Sequence, residues 1–379
     1  MTNVANKTLM GMEAAEMAQL VADCGEPSYR AKQLLDAVYR QRLCSLDDIS
    51  TLPQRFRAKL VEEGITVGLP VIEKRFVSQD GTVRFLLQFA DGQTAETVWM
   101  PEGDGGEQGD GTEAGELTGA GGPPGRNWHR ATICVSSQIG CAVDCQFCLT
   151  ALLGVKRNLS AGEIVGQICA VLNDQKVTLS QERINLVFMG MGEPFLNYEN
   201  FMKAVHLLVE QVGVPESRMT VSTAGIIPRI HDFGLESVRP KLAISLNASN
   251  DELRSRLMPL NRKWNLEKLM SAARDFPLRN RERITFEYVL LSGINDLPEN
   301  AREVVELLRG LRAKVNLIAL NPGEGIAFSI PSAEAVAAFQ QVLTQAGIPA
   351  FVRRPRGRDI YAACGQLKQT VEIATAGVR

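Results

Sequence analysis

Three cysteines, Cys141, Cys145 and Cys148, fall within eight residues in the string Cys141-Ala-Val-Asp-Cys145-Gln-Phe-Cys148. Thiolates this close together bind metal. A cubane iron–sulfur cluster takes one cysteine per iron, so three ligands leave one iron free to bind and transform a second molecule. A structural zinc site wants four Cys or His ligands, and none of the three histidines (His129, His206, His231) lies in this loop. A disulfide staple suits short secreted chains. This chain is long and opens without a signal peptide. The spacing points to an iron–sulfur cluster with a vacant corner.

Other residues with chemical potential sit at the ends of apolar runs. Ile184–Met189 leads into Gly190-Met191-Gly192-Glu193-Pro194, where glycine lets backbone approach a ligand and Glu193 can accept a bond from an ammonium group. Later runs end at Ser222-Thr223-Ala224-Gly225, at Ser245-Leu246-Asn247 and at Asn321-Pro322. Each tip alone is better read as a helix N-cap; four in succession have the layout of a cofactor channel. Cys134 ends the run before the cysteine loop, and Cys364 lies in Asp359-Ile-Tyr-Ala-Ala-Cys364-Gly. Just upstream, Arg353-Arg354-Pro355-Arg356-Gly357-Arg358 holds four arginines in six residues. That run is either a solvated loop or a holder of phosphate. Cys24, Cys44 and Cys169 carry no chemical signal, and Cys169, within an amphipathic helix, reads as a packing residue.

The elements that must position these groups follow from periodicity. Residues 1–70 read as a small helical domain, with Leu34, Leu35 and Val38 on one face of a helix from Tyr29 to Gln41 and a second helical pattern over 45–65. Residues 71–101 change to period two: Val83, Phe85, Leu87 and Phe89 on one face, Arg84 and Gln88 on the other. Turn signals at Asp80-Gly81 and Asp91-Gly92 make this a short β segment leading to the main domain. Residues 102–127, with ten glycines between Gly103 and Gly125, read as a flexible insertion.

From 128 to 379 apolar strands alternate with amphipathic helices. The strands expected are Ala131–Val135, Ile184–Met189, Arg218–Ser222, Lys241–Leu246, Ile284–Leu290, Val315–Leu320 and Ala350–Arg353. Ser160-Ala-Gly-Glu163 is a capping box opening a helix through Ile164, Ile168 and Leu172. Further helical faces run through Val304, Leu307, Leu308 and Leu311, and from Ser332 to Gly347. Repeated strand–helix units imply an α/β fold, a partial (β/α)6 TIM-like barrel whose site gathers at the C-terminal strand ends.

Composition sets outer bounds. The chain has 379 residues, 45% hydrophobic and 22% charged, which describes a globular protein of two or three domains or a barrel with an appendage. No apolar run is long enough for a transmembrane helix, so no membrane partner is expected. Eight cysteines and an oxygen-sensitive cluster motif lead us to expect the reducing cytoplasm. A net charge of −2 argues against a generic polyanion binder but leaves room for a local basic patch.

The cysteine loop, with Phe147 before its third thiol, resembles the signature of the radical S-adenosyl-L-methionine (SAM) enzymes. Together CVSSQIGCAVDCQFC, RNLSAGEIVGQ, VFMGMGEP, VSTAG, LAISLNAS and DIYAACGQL, with GEPSYRAKQL near the N-terminus, resemble the RlmN/Cfr family of radical SAM RNA methyltransferases over nearly the whole chain. The glycine-rich insertion is the main departure. The resemblance implies a radical SAM barrel, with a 4Fe-4S cluster held by Cys141, Cys145 and Cys148. It implies SAM contacts from Gly192, Glu193, Ser222, Ser245, Leu246, Asn247 and Asn321. Asn247 stands where the family commonly has histidine, and its amide still hydrogen bonds.

RlmN-type members methylate C2 of an adenosine in the peptidyl transferase centre of 23S rRNA, and of the adenosine just 3′ of the anticodon in some tRNAs. C2 is electrophilic and cannot attack the methyl of SAM. The resemblance implies a relay instead. Cys364 takes a methyl from one SAM, and a second SAM yields a 5′-deoxyadenosyl radical that removes hydrogen from that methyl. The methylene radical adds to C2, Glu96 takes the C2 proton, and Cys134 attacks the Cys364 sulfur, leaving a Cys134–Cys364 disulfide. Glu96 on sequence alone reads as a surface strand carboxylate. The expected partners are 23S rRNA, tRNA and an electron donor such as flavodoxin, with the helical domain helping to grip RNA and the enzyme a monomer. A Cfr-like C8 methyltransferase is the close alternative. A small-molecule radical enzyme or activase, and a cluster or zinc protein that only binds RNA, are the more distant ones.

Overall fold

The computed structural model describes residues 7–102, 128 and 130–368. The glycine-rich insertion expected at 102–127 lies, from 103 onward, outside the described residues.

Three short helices open the fold: α1 (Ala14–Asp23), α2 (Tyr29–Leu35), continued by a π turn over Asp36–Arg40, and α3 (Gln54–Glu62). Leu34 and Val38 are buried as their spacing predicts, and Leu35 is half-buried beside them. The Tyr39 hydroxyl, at the end of this helix, accepts from Gly11 N (2.9 Å) and donates to Met12 O (2.7 Å). Arg42 joins the piece to the rest of the molecule, donating to Asn173 Oδ1 (3.0 Å) and to Val177 O (2.8 Å).

Three strands follow, β1 (Val71–Val77), β2 (Val83–Gln88) and β3 (Thr94–Glu102). They are paired antiparallel and belong to the main sheet, because β3 pairs antiparallel with β4 (Arg130–Cys134), Val98 opposite Cys134. Next comes a two-stranded clamp, β5 (Gln138–Gly140) with β6 (Val155–Asn158), which closes the base of the cysteine loop. Helix α4 (Ala161–Asp174) carries the expected capping box, and Ile164, Ile168 and Leu172 face the core.

The remaining elements alternate: β7 (Arg183–Phe188), α5 (Tyr198–Leu207), β8 (Met219–Thr223), α6 (Ile227–Leu235), β9 (Lys241–Ser245), α7 (Asp251–Leu257), α8 (Leu266–Asp275), β10 (Ile284–Leu290), α9 (Pro298–Leu308), β11 (Ala313–Ala319), α10 (Ala333–Gln345) and β12 (Ala350–Arg353). All seven expected strands are present. The ten-stranded sheet runs β1-β2-β3-β4-β7-β8-β9-β10-β11-β12, parallel from β4 to β12. In a flat sheet six steps of about 4.8 Å would put β12 roughly 29 Å from β4. Yet Cys134 on β4 and Arg353 on β12 interact electrostatically. The loop after β12 also reaches the β1–β2 turn, where Ser78 Oγ donates to Asp359 Oδ1 (2.6 Å) and Gly357 N to Asp80 Oδ2 (3.0 Å). The sheet therefore curls into a partial barrel.

Curling covers both faces of the antiparallel strands. Arg84, which alternation places away from the core, is fully buried, and so is Glu96, read above as a surface carboxylate. The two form an ion pair, with the Arg84 guanidinium over the Phe76 ring. Periodicity reports which residues share a face, but not whether a second layer lies over it.

Candidate active site

The tips of the parallel strands line a cavity open to solvent, about 960 Å³ counting the open space at its mouth. Cys141, Cys145 and Cys148 line it, together with Gly192, Glu193, Ser222, Ser245, Asn247, Asn321 and Cys364. Those ten come from the cysteine loop, four different strand tips and the C-terminal loop.

The cysteine loop hangs from the β5–β6 clamp through Cys141 N donating to Gly154 O (3.0 Å). On its far side Gln146 N donates to Leu257 O (3.0 Å), and Phe147 packs with Leu257 and Met258. Burial pushes the Cys141 thiol up to about 12 and raises Cys145 and Cys148 as well. Cys148 also raises Cys141 and Cys145, and Cys141 raises Cys145, so free thiolates are costly here and a cationic centre would relieve that cost. No group of His, Cys, Asp or Glu among the described residues is placed to hold a single metal ion. Three cysteines in one short loop suit a cluster that takes one cysteine per iron better than a structural zinc site, which wants four ligands.

Glu193 sits on the tip after β7. Its carboxylate accepts from Phe195 N (3.0 Å) and Ala224 N (2.6 Å), while its own N–H donates to Gln138 Oε1 (2.9 Å). Burial lifts it to about 7 despite these bonds. Gly192 holds φ +96° with its α-carbon against Gln138, leaving no room for a side chain. At the next tips Ser222 Oγ and Ser245 Oγ are 3.3 Å apart. Asn247 adopts φ +56°, a conformation asparagine tolerates. Its Oδ1 accepts from Val289 N (2.9 Å) and its Nδ2 donates to Met258 Sδ (3.3 Å). Its side chain is thus occupied in bracing the β9 tip. Leu246 is buried away from the cavity, and its carbonyl is taken by Arg254 Nε (3.1 Å). The Asn321 amide donates to Cys364 O (3.2 Å), and its buried Oδ1 has no protein partner.

Cys364 presents its surface to the cavity, deep within the barrel mouth. Burial raises its thiol, Arg353 draws it back down, and Glu287 and Cys148 push it up again. Cys134 stands behind it, buried, with its thiol raised by desolvation and by Cys364. The two cysteines, distant in sequence, are neighbours and both free thiols. Glu96 is outside the cavity lining. The β3–β4 register puts it on the sheet face shared by Val98 and Cys134, at the cavity end of the strands. Ser136 Oγ donates to its carbonyl (2.6 Å).

Three site residues had no signal in the sequence. Arg254, fully buried on α7, donates to Ala224 O (2.7 Å), Ser245 O (3.0 Å), Leu246 O (3.1 Å) and Asn261 Oδ1 (3.0 Å), tying two strand tips together beside Cys145. Desolvation lowers it to about 10. Glu287 on β10 and Asn316 on β11 are buried polar residues inside strands that read as mostly apolar. Only the pairing register could have flagged them.

A family model for the radical SAM superfamily matches residues 135–309, and one for the ribosomal RNA large subunit methyltransferase N-terminal domain matches residues 7–65. A probable dual-specificity RNA methyltransferase RlmN from Koribacter versatilis is 67% identical over 351 residues, 93% of this chain and 98% of that one. The chain belongs to the RlmN family. A second RlmN, from Syntrophobacter fumaroxidans, is 44% identical over 93% of this chain and 95% of its own. The crystal structure of a radical SAM methyltransferase from Sphaerobacter thermophilus superposes with a TM-score of 0.84 at 40% identity, covering 96% of this chain and 99% of the other.

RlmN-family membership makes the protein a radical SAM RNA methyltransferase that uses a 4Fe-4S cluster and SAM. The cavity fits both groups: three clustered thiols at one wall, and unpartnered buried oxygens on Asn321 and Glu287 at the others. Relatives bearing the RlmN name do not favour the Cfr-like alternative. Among the described residues no helix is long and apolar enough to cross a membrane.

Proposed function

We propose that the protein methylates C2 of adenosine in 23S rRNA and in tRNA, through a methyl carried on Cys364. The observation that carries this reading is the meeting of Cys364 and the three-cysteine loop at one cavity, with Cys134 beside Cys364. Cys141, Cys145 and Cys148 hold the cluster; Gly192, Glu193, Ser222, Ser245 and Asn321 hold SAM, with Leu246 and Asn247 setting the shape of the β9 tip. Bound together, cluster and SAM supply the methyl group and one-electron chemistry. Cys364 then works as a nucleophile, with Arg353 favouring its thiolate and Asn321 fixing its carbonyl. Cys134 is placed to attack the Cys364 sulfur and release the modified base as a disulfide forms. Glu96, ion-paired with Arg84, accepts the C2 proton.

The exposed Arg354 and Arg358 on the rim suit RNA phosphate, and helices α1 to α3 form an accessory domain that helps grip an RNA whose adenosine is unstacked. We assign an electron donor of the flavodoxin kind, a monomeric state and a cytoplasmic location on the same reading. The test is nucleoside analysis of 23S rRNA and tRNA from cells with and without the gene. Loss of 2-methyladenosine is expected in the deleted cells, restored by the wild-type gene and not by Cys364→Ala. Loss of 8-methyladenosine alone would refute the C2 assignment.

A further inference from the structure

The inner wall of the barrel carries a row of polar residues. Ser245 on β9 pairs in register with Glu287 on β10, and Glu287 with Asn316 on β11. In-register residues share a face. Glu287 and Ser245 both line the cavity, so that face is the barrel interior. Ser222 extends the row to β8 through the 3.3 Å contact with Ser245. Barrel interiors of this kind are ordinarily filled by branched apolar side chains, and a buried polar group without a partner is costly.

Within the row, Asn316 Nδ2 donates to Glu287 Oε1 (2.9 Å) and locks the carboxylate in place. Glu287 Oε2 and Asn316 Oδ1 are then left buried with no hydrogen-bond donor. Glu287 is 5% exposed, and the little surface it has faces the same cavity as the three cysteines and Cys364. A pre-positioned acceptor one strand away from a serine hydroxyl pair matches a ligand with two adjacent hydroxyl donors. The nucleoside part of SAM carries such a diol on its ribose.

We propose that Glu287, braced by Asn316, accepts hydrogen bonds from the ribose hydroxyls of SAM. The assignment rests on reading the cavity as the SAM site. It makes the strand interior, and not the tips alone, part of cofactor recognition. It also explains why an acidic side chain is kept inside a barrel beside the thiols: its unpartnered oxygen is met by a donor-rich ligand.

The test uses the full chain carrying its cluster, kept anaerobic, with S-adenosylhomocysteine and its 2′,3′-dideoxy counterpart as probes. Dissociation constants come from titration calorimetry. Hydrogen bonds to a charged acceptor are worth about a factor of ten or more in affinity. Glu287→Gln should therefore weaken S-adenosylhomocysteine about ten-fold or more, and Asn316→Ala should weaken it by a smaller factor. Wild type should bind the dideoxy probe correspondingly less well, and Glu287→Gln should change that affinity less than about two-fold. Equal affinity of wild type and Glu287→Gln for S-adenosylhomocysteine would overturn the assignment. So would an equal loss for both probes, which would mean the residue acts through the fold. A loss seen with SAM and absent with S-adenosylhomocysteine would also overturn it, pointing to attraction for the sulfonium. Failure of the unsubstituted protein to bind either probe would refute the reading of the cavity itself and this assignment with it.

Discussion

Replacing Gly192 by alanine isolates the contribution of one backbone contact to the site. Gly192 holds φ +96°, and a β-carbon there would fall 2.5 Å from Gln138 Cβ and 2.7 Å from Gln138 N. One of those atoms is backbone, so rotamer change alone gives no relief. Left-handed strain costs roughly 1–2 kcal/mol, and forcing apart a packed contact adds roughly 1–3 kcal/mol. An unfolding entropy of about 2.1 cal/mol/K per residue over 379 residues comes to about 0.8 kcal/mol per degree. The expected fall in Tm is about 3–6 °C. Gly213 supplies the control: its φ is +91°, with nothing within 4 Å of an added β-carbon. Gly213→Ala should carry the strain alone, about 1–3 °C. The function should separate the two further. Gly192 pushes on Gln138, whose Oε1 holds Glu193 N and whose strand leads into Cys141. Gly192→Ala should bind S-adenosylhomocysteine at least about ten-fold more weakly, as expected when a ligand-holding hydrogen bond is displaced, whereas Gly213→Ala should bind it normally. The assays are a thermal melt and calorimetry on the cluster-loaded protein. If the two variants melt within a degree of each other and bind alike, the close approach at Gly192 has no energetic weight and the reasoning fails.

Gln167, fully buried on α4, accepts from Thr97 Oγ1 (2.8 Å) and Ser136 N (3.0 Å) and donates to Ser136 O (3.0 Å). Gln167→Leu strands those groups and should cost about 2–4 kcal/mol in denaturant unfolding; a loss below about 1 kcal/mol would count against this network. Arg254→Met removes the shared donor of the β8 and β9 tips, and we expect poor cluster loading by absorbance together with weakened SAM binding, with full loading as the refuting result. Burial alone would raise the Asp80 carboxyl, but bonds from Thr82, Gly357 and Ser78 hold it below its usual range. A lowered folded value means its contribution is complete above the unfolded pKa and is lost as pH falls through the folded one. Gly357 amide protection, compared between wild type and Asp80→Asn, should therefore differ by about ten-fold at neutral pH and converge only as pH falls below about 4 and through the lowered folded value. A pH-independent ratio would show that the Asp80 charge does not latch the Cys364 loop.

The parts of the site that spacing reveals are those made by neighbours in sequence. The cysteine loop, the GMGEP tip and the capping box on α4 are each complete within a few residues, so their chemistry is legible without a fold. The strands are legible for a related reason: a run buried on both faces must be apolar. What escapes is whatever depends on curvature. Arg84 and Glu96 look solvent-facing because alternation cannot show that the curl lays a second layer over them. Glu287 and Asn316 are polar residues in mostly apolar runs, and only the register of two strands joined through α9 makes them partners. Arg254 reads as one charge on a short amphipathic helix, although all of its bonds are spent inside. Cys134 and Cys364 are the instructive case. Nothing within either segment asks for the other, and a flat sheet would hold them apart; the resemblance supplied the pair before geometry did. The barrel's curl, pinned at Asp80 and Asp359, brings two thiols distant in sequence together, and under the proposed function they act as one couple. Loosening that pin should therefore affect the second half of the reaction, release by Cys134, more than the first, which needs Cys364 and the cavity alone. A double variant of Asp80→Asn and Asp359→Asn that accumulates a covalent protein–RNA adduct on denaturing gels, while still methylating Cys364, is the result this view expects. One that loses Cys364 methylation and forms no adduct would show that the pin acts on the nucleophile itself.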